Sequence, residues 1–286
     1  MHNSYTDEKV NEIIKLHNSG KTPTEISKIF KTYNTTIRRI LLANGKDLKS
    51  ISETLSTVKE NPFKDINSYE VQYWLGLLSA DGNLSTEGYR INLSLQEKDL
   101  YIIEAFKNFL QSNNKIQVYY GKYDTPIYSL NVKNKNIHTF LTSLGITSKK
   151  SKTLKVNFPL TWDFIKGVID GDGSVRKNGL IEIATASEEF AKQLLEFFNL
   201  NGVKPTKSEY NNIHIVRISN FKDCYFVYTN LYKNKTTYML RKYERFGSLV
   251  EKFTSVHTAN SGKVVEQSRA SEDENSHECN DSTRCT

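Results

Sequence analysis

The stretch that decides the fold runs from Trp162 to Val175, WDFIKGVIDGDGSV. Gly167 and Gly171 stand four residues apart and so share one face of a helix. A glycine inside a helix costs about 1 kcal/mol against alanine, so two on one face need a reason. A Gly-xxx-Gly face supplies one by letting a second helix approach backbone to backbone. Asp172 and Gly173 follow directly. A carboxylate at a helix C-terminus faces the negative end of the dipole and calls for a cation beside it, so the stretch predicts a metal site at a helix–helix seam.

The same design occurs upstream in Tyr73 to Leu84, YWLGLLSADGNL, where Gly76 and Ala80 are four apart and Asp81-Gly82 closes the helix. The acids of the two stretches are offset by 91 residues, and so are their first small residues. Two such helices predict each other as partners. With Gly76, Ala80, Gly167 and Gly171 at their interface, Asp81 and Asp172 emerge side by side and can share divalent ions.

These residues resemble the two signature helices of the LAGLIDADG homing endonucleases, in the single-chain form that carries both copies. On that nine-residue motif the copies are Trp74 to Gly82 and Ile165 to Gly173; Asp81 and Asp172 fall on the metal-binding acids, Asp170 keeps the usual earlier acid and Ser79 departs from it. The resemblance implies an α+β fold: a pseudodimer of two α-β-β-α-β-β-α units whose antiparallel sheets form a saddle over double-stranded DNA. It implies two or three Mg²⁺ sites shared by Asp81 and Asp172, with Ala80 and Gly171 beside them, and cleavage across the minor groove that leaves 3′ overhangs. Gln96 resembles the residue that positions the hydrolytic water, with a counterpart near Ser187. Lys149 to Leu154 resembles the segment bearing an active-site lysine, Lys150 ahead of Lys152, and in the second copy Arg241-Lys242-Tyr243 points to Lys242. Two other functions of the same scaffold stand beside cleavage: an RNA maturase that binds intron RNA, and a DNA-binding regulator that does not cut.

Outward from the signature helices, period-two alternation marks strands. In Tyr89 to Gln96 it leaves Arg90, Asn92, Ser94 and Gln96 pointing away from the core. Lys115 to Tyr120 and Ile127 to Lys133 read as a second hairpin across Lys122-Tyr123-Asp124, with helices over Asp99–Phe109 and Ile137–Leu144. The second copy repeats the order through Ser174–Arg176, the turn Lys177-Asn178-Gly179, Leu180–Thr185, helix Glu188–Phe198, strands near Lys204–Tyr210 and Ile213–Ser219, and helix Asp223–Tyr232. Glu182 and Thr185 are expected on its exposed side; the expected DNA-facing residues of the two sheets are Arg90, Asn92, Ser94, Arg176, Lys177 and Thr185.

The N-terminal part reads as a separate helical unit. Thr6-Asp7-Glu8 offers capping chemistry, Pro23 opens a second helix and a basic third helix starts near Thr35. Short helix, tight turn and basic helix suggest a helix-turn-helix, with Thr35, Thr36, Arg38 and Arg39 facing a groove. The expected domains are therefore 1–45, a polar tether over 46–68, repeats at 69–158 and 159–254, and a disordered tail over 255–286.

The charge agrees with a polyanionic partner. The chain of 286 residues carries a net +7, and the tail from Ser255 holds 3 Lys and Arg against 6 Asp and Glu, so the positive surplus lies before it. No apolar run approaches a membrane span and the N-terminus has no apolar secretory core. Three cysteines without metal spacing, Cys224, Cys279 and Cys285, fit a reducing compartment. The expectation is a monomeric pseudodimer in the cytoplasm or organelle matrix, with no membrane partner.

Overall fold

Tyr69–Ala80 and Trp162–Asp172 are buried on every side over most of their length, from Val71 to Ser79 and from Asp163 to Asp170. They cross at the centre of the larger unit. The computed structural model describes residues 5–48, 58, 60–121, 124–176, 179–234 and 237–247, and the chain divides into two compact units, 1–55 and 56–286. Lys177, residues 49–57 of the tether and the tail from Ser255 lie outside the described residues.

In the smaller unit, α1 (Asp7–Asn18), α2 (Pro23–Ile29) and α3 (Asn34–Ala43) close on Ile13, Ile26, Ile37 and Leu41, all fully buried. Thr22 and Glu25 form a reciprocal capping box at the start of α2, which with Pro23 fixes where that helix begins. Thr6 stands at the N-cap of α1, but its side chain makes no capping bond. Asp7 and Glu8 complement the first turn instead.

The larger unit repeats one plan twice. The first copy is α4 (Tyr69–Ala80), β1 (Gly82–Ser85), β2 (Arg90–Gln96), α5 (Leu100–Phe109), β3 (Gln117–Tyr120), β4 (Pro126–Lys133) and α6 (Lys135–Ser143). After the short helix α7 (Lys150–Thr153) comes the second: α8 (Trp162–Asp172), β5 (Gly173–Val175), β6 (Ile181–Thr185), α9 (Glu188–Leu200), β7 (Thr206–Tyr210), β8 (Ile213–Ile218) and α10 (Phe221–Leu231). The sheets are antiparallel with the same order, β1-β2-β4-β3 and β5-β6-β8-β7. Gly82 pairs with Leu93 and Gly173 with Ile183, so the registers superpose residue for residue. Ile91, Leu93, Leu130 and Val132 in one sheet, and Ile181, Ile183, Val216 and Ile218 in the other, turn inward onto a shared core. Their neighbours along the strands face out.

The expected tether is only partly a tether. Phe63 is fully buried and packs edge-on against Phe109 at 5.1 Å, and the Val58 carbonyl accepts from Asn134 Nδ2 at 3.0 Å. The first repeat therefore extends N-terminal to Tyr69, because an aromatic so placed contributes too much apolar burial to be left in solvent. Cys224 is buried and free. Among the described residues no helix is long and apolar enough to cross a membrane.

Candidate active site

The small residues act as the sequence requires. A β-carbon at Gly76 would strike the carbonyl of Phe164, one at Gly167 the carbonyl of Tyr73, and one at Gly171 the β-carbon of Ala80. The α4 and α8 backbones are in contact along this face, which returns the helix cost of the glycines as packing. Polar groups fasten the seam at its ends. Thr161 caps α8 and donates to Gln72 Oε1 at 3.0 Å, while Tyr73 donates its hydroxyl to Asp170 Oδ2 at 3.0 Å. Asp163 and Lys166, both nearly inaccessible, pair at 2.8 Å.

Asp81 and Asp172 come together at the C-terminal ends of the crossed helices. A β-carbon at Gly171 would lie 3.2 Å from Asp81 Oδ2. Burial, and then the like charge of Asp172, raise the Asp81 pKa to about 6, against the pull of Lys242, Lys150 and Arg241. Burial also raises Asp172, opposed by Lys150 and Lys242. Two desolvated carboxylates, the charge of one raising the other, form a site for a cation. Among the described residues no group of three His, Cys, Asp or Glu converges, and the seam offers two carboxylates, a hard-oxygen donor set. That set fits Mg²⁺, which is bound through one or two carboxylates and completes its shell with phosphate and water. A cleft of about 250 Å³ opens beside Asp172, lined also by Ser79, Ala80, Lys150, Thr185 and Ala186.

The two expected lysines have different places. Lys150, at the start of α7, donates to the Ala80 carbonyl at 2.8 Å and lines the cleft. Burial lowers its pKa, with Asp172 and Asp81 opposing. Lys242 is buried and donates to the carbonyls of Ile169, Asp170 (2.6 Å), Gly171 (3.2 Å) and Gly173 (2.8 Å). An ammonium has three protons, so this one is saturated by the C-terminus of α8, and its geometry is that of a helix cap. Burial brings its pKa down to about 8. Ala80 and Gly171, expected beside the metal, each have their carbonyl engaged by one of these lysines.

Gln96 ends β2, exposed, opposite Ile127. The superposed registers make Ala186 its counterpart, three residues past the partner of the post-acid glycine in each copy. Ser187, the expected counterpart, instead caps α9 and donates to the Leu154 carbonyl at 2.6 Å. Thr185 shares the parity of Ile181 and Ile183 and so lines the cleft instead of the outer sheet face. Asp170, wholly inaccessible, accepts from Tyr73 and from the Met239 amide at 2.8 Å; burial raises it to about 6. Ser79, at the matching position, turns back to the Leu75 carbonyl at 2.8 Å.

On the outer faces, Asn92 donates to Asn131 at 3.0 Å and Ser94 to Asn92 at 2.9 Å, Arg90 pairs with Glu87 at 3.2 Å, and Arg176 with Glu182 at 2.9 Å. In the smaller unit Thr35 and Arg39 are exposed, and Thr36 and Arg38 half-buried. Tyr33, which caps α3, is 81% exposed beside them. The residues sequence reasoning missed are those fixed by distant partners: Tyr73 and Met239 on Asp170, and Arg241, whose Nε lies 3.1 and 3.0 Å from the two oxygens of buried Asp99.

Fold and site together define a two-repeat α+β protein with an acid pair at a pseudo-twofold helix seam. Residues 162–243 match the model of the LAGLIDADG-like domain. The second repeat is thus matched as a LAGLIDADG-like domain, and the first repeat has the same element order and an acid-bearing helix at the same place. An uncharacterized protein of Methanocaldococcus jannaschii, MJ0314, is 34% identical over 148 residues, covering 49% of this chain and 54% of that one. The chain thus spans about half the length of this curated relative. Similar solved structures include the homing endonuclease I-WcaI bound to its DNA recognition sequence (14% identity, TM-score 0.48, 70% of this chain and 95% of that one). Others are I-DmoI with DNA and Ca (16%, 0.43, 62% and 94%) and the N-terminal LAGLIDADG domain of WhiA (17%, 0.40, 66% and 96%).

Proposed function

We propose that the chain is a site-specific DNA endonuclease that makes Mg²⁺-dependent double-strand breaks with 3′ overhangs in a long target. The observation that carries this reading is the acid pair: two carboxylates brought together by glycine contacts, both raised by burial and Asp81 further by the charge of Asp172, at the foot of two sheets with polar outer rows. Asp81 and Asp172 would hold Mg²⁺. Bound there, a divalent ion supplies Lewis-acid charge at the scissile phosphate and lowers the pKa of a bound water.

The remaining tasks fall to the chain's own groups. The two sheets lie against the duplex and set which phosphates reach the seam, since orientation is worth as much as any chemical group. Lys150 uses one proton on the Ala80 carbonyl and keeps two donors for the phosphoryl oxygens, whose charge grows in the transition state. Lys242 holds the α8 terminus and so fixes Asp172. The 1–45 unit adds a second DNA contact through α3, with Thr35, Thr36, Arg38 and Arg39 toward the groove, and tethering it to the repeats raises its effective concentration.

The test is selection of bound duplexes from a random library in Ca²⁺, followed by transfer to Mg²⁺. Cleavage of both strands within the selected site is expected. Binding without cleavage would replace the nuclease by a regulator, and preference for RNA over duplex DNA by a maturase.

A further inference from the structure

The registers show which outer residues occupy equivalent places. In the first sheet one row across the strands is Asn83, Asn92 and Asn131. In the second the same row is Ser174, Glu182, Arg217 and Thr206. A row of neutral amides in one copy has become a charged cluster in the other. Glu182 takes Arg217 Nε on Oε1 at 2.7 Å and Arg176 on Oε2 at 2.9 Å. Both carboxylate oxygens are thereby used, so Glu182 has little acceptor capacity for cytosine. The Arg217 guanidinium is held by its Nε, which leaves its two terminal nitrogens as a planar fork with no protein acceptor among the described residues. The Glu182 side chain is largely covered while both arginines reach solvent, and what the contact supplies is orientation.

A fixed guanidinium fork matches the O6 and N7 acceptors of guanine in the major groove, and asparagine amides match adenine. We infer that Arg217 reads a guanine in the half-site beneath the second sheet, with Glu182 as its positioning residue. The symmetry-related base pair beneath Asn92 and Asn131 is not read as guanine. The target is therefore a broken palindrome at this position. The inference rests on the DNA-binding reading above and adds a base and a residue to it.

The experiment uses the full chain in Ca²⁺, which removes cleavage from the readout, and compares duplexes selected by the unaltered protein, Arg217→Ala, Asn131→Ala and E182Q. The unaltered protein is expected to enrich one guanine in a single half-site. Arg217→Ala should lower discrimination at that base by about 10- to 100-fold while preferences elsewhere persist, and Asn131→Ala should leave the guanine in place. E182Q removes a negative charge, so affinity for random duplex should hold or rise while the guanine preference weakens; a purely structural role for Glu182 would lower both together. A guanine preference that survives Arg217→Ala overturns the assignment. So does an equal guanine at the symmetry-related position lost in Asn131→Ala. Recovery of no duplex at all overturns the DNA-binding reading and this inference with it.

Discussion

The two repeats share a backbone and differ in what they do with charge. In the first, the position two before the acid is Ser79, bonded to its own helix, and the lysine contributed near the acid, Lys150, holds one carbonyl and faces a cleft. In the second, the same position is the buried carboxylate Asp170, tied to Tyr73 of the other repeat and to Met239, and the lysine is sealed under four carbonyls. The two scaffolds have the same strand order and register. Their polar side chains differ in placement: Lys150 faces the cleft, and Lys242 is sealed on the α8 terminus.

The sharpest way to break that division is to remove both lysines in turn. Lys150→Met should slow cleavage by about 100-fold, as for loss of a donor to developing charge, with little change in melting temperature. Lys242→Met should strand buried carbonyls and cost about 2–4 kcal/mol, read by denaturant titration. Equal effects of the two on rate and stability would erase the distinction.

The seam itself should be symmetric. Gly76→Ala and Gly167→Ala each push a methyl into a carbonyl of the other helix and should cost about 1–3 kcal/mol. Gly247→Ala, which meets nothing within 4 Å, is the control, and thermal unfolding is the measurement.

Acid should distinguish the positions two before each acid. Asp170 titrates near 6 in the fold against about 3.9 in an unfolded chain, so between those values the folded protein binds more protons. Stability of the metal-free protein should then fall as pH rises from about 4 through 6, by about 2 kcal/mol from this group. Asp170→Asn keeps an oxygen acceptor for Tyr73 and Met239 and should remove this group's share of the slope, the shares of Asp81 and Asp172 remaining, whereas Ser79→Ala should leave it unchanged.

How much of this was legible depends on whether a residue answers to its neighbours in sequence or in space. The strand Arg90–Gln96 was readable because its alternation is local, and the crossing of α4 and α8 because Gly76 and Gly167 announce a close approach. Thr185 was misread as outward although its parity with Ile181 and Ile183 was already visible. Phe63 was hidden in a polar stretch whose average said tether. Asp99 with Arg241 and Tyr73 with Asp170 left no periodic trace, because residues separated by 142 and 97 positions are paired only by the completed fold. Lys242 looked like its counterpart in sequence, and only the carbonyls around it show the different place.

The acid pair is the centre of the proposed activity, so the decisive measurement is binding and cleavage of one selected duplex by Asp172→Asn and Asp81→Asn beside the unaltered chain. Each substitution should leave affinity in Ca²⁺ within a few fold and lower double-strand cleavage in Mg²⁺ by at least about 1,000-fold. Cleavage by either variant at the unaltered rate would contradict it.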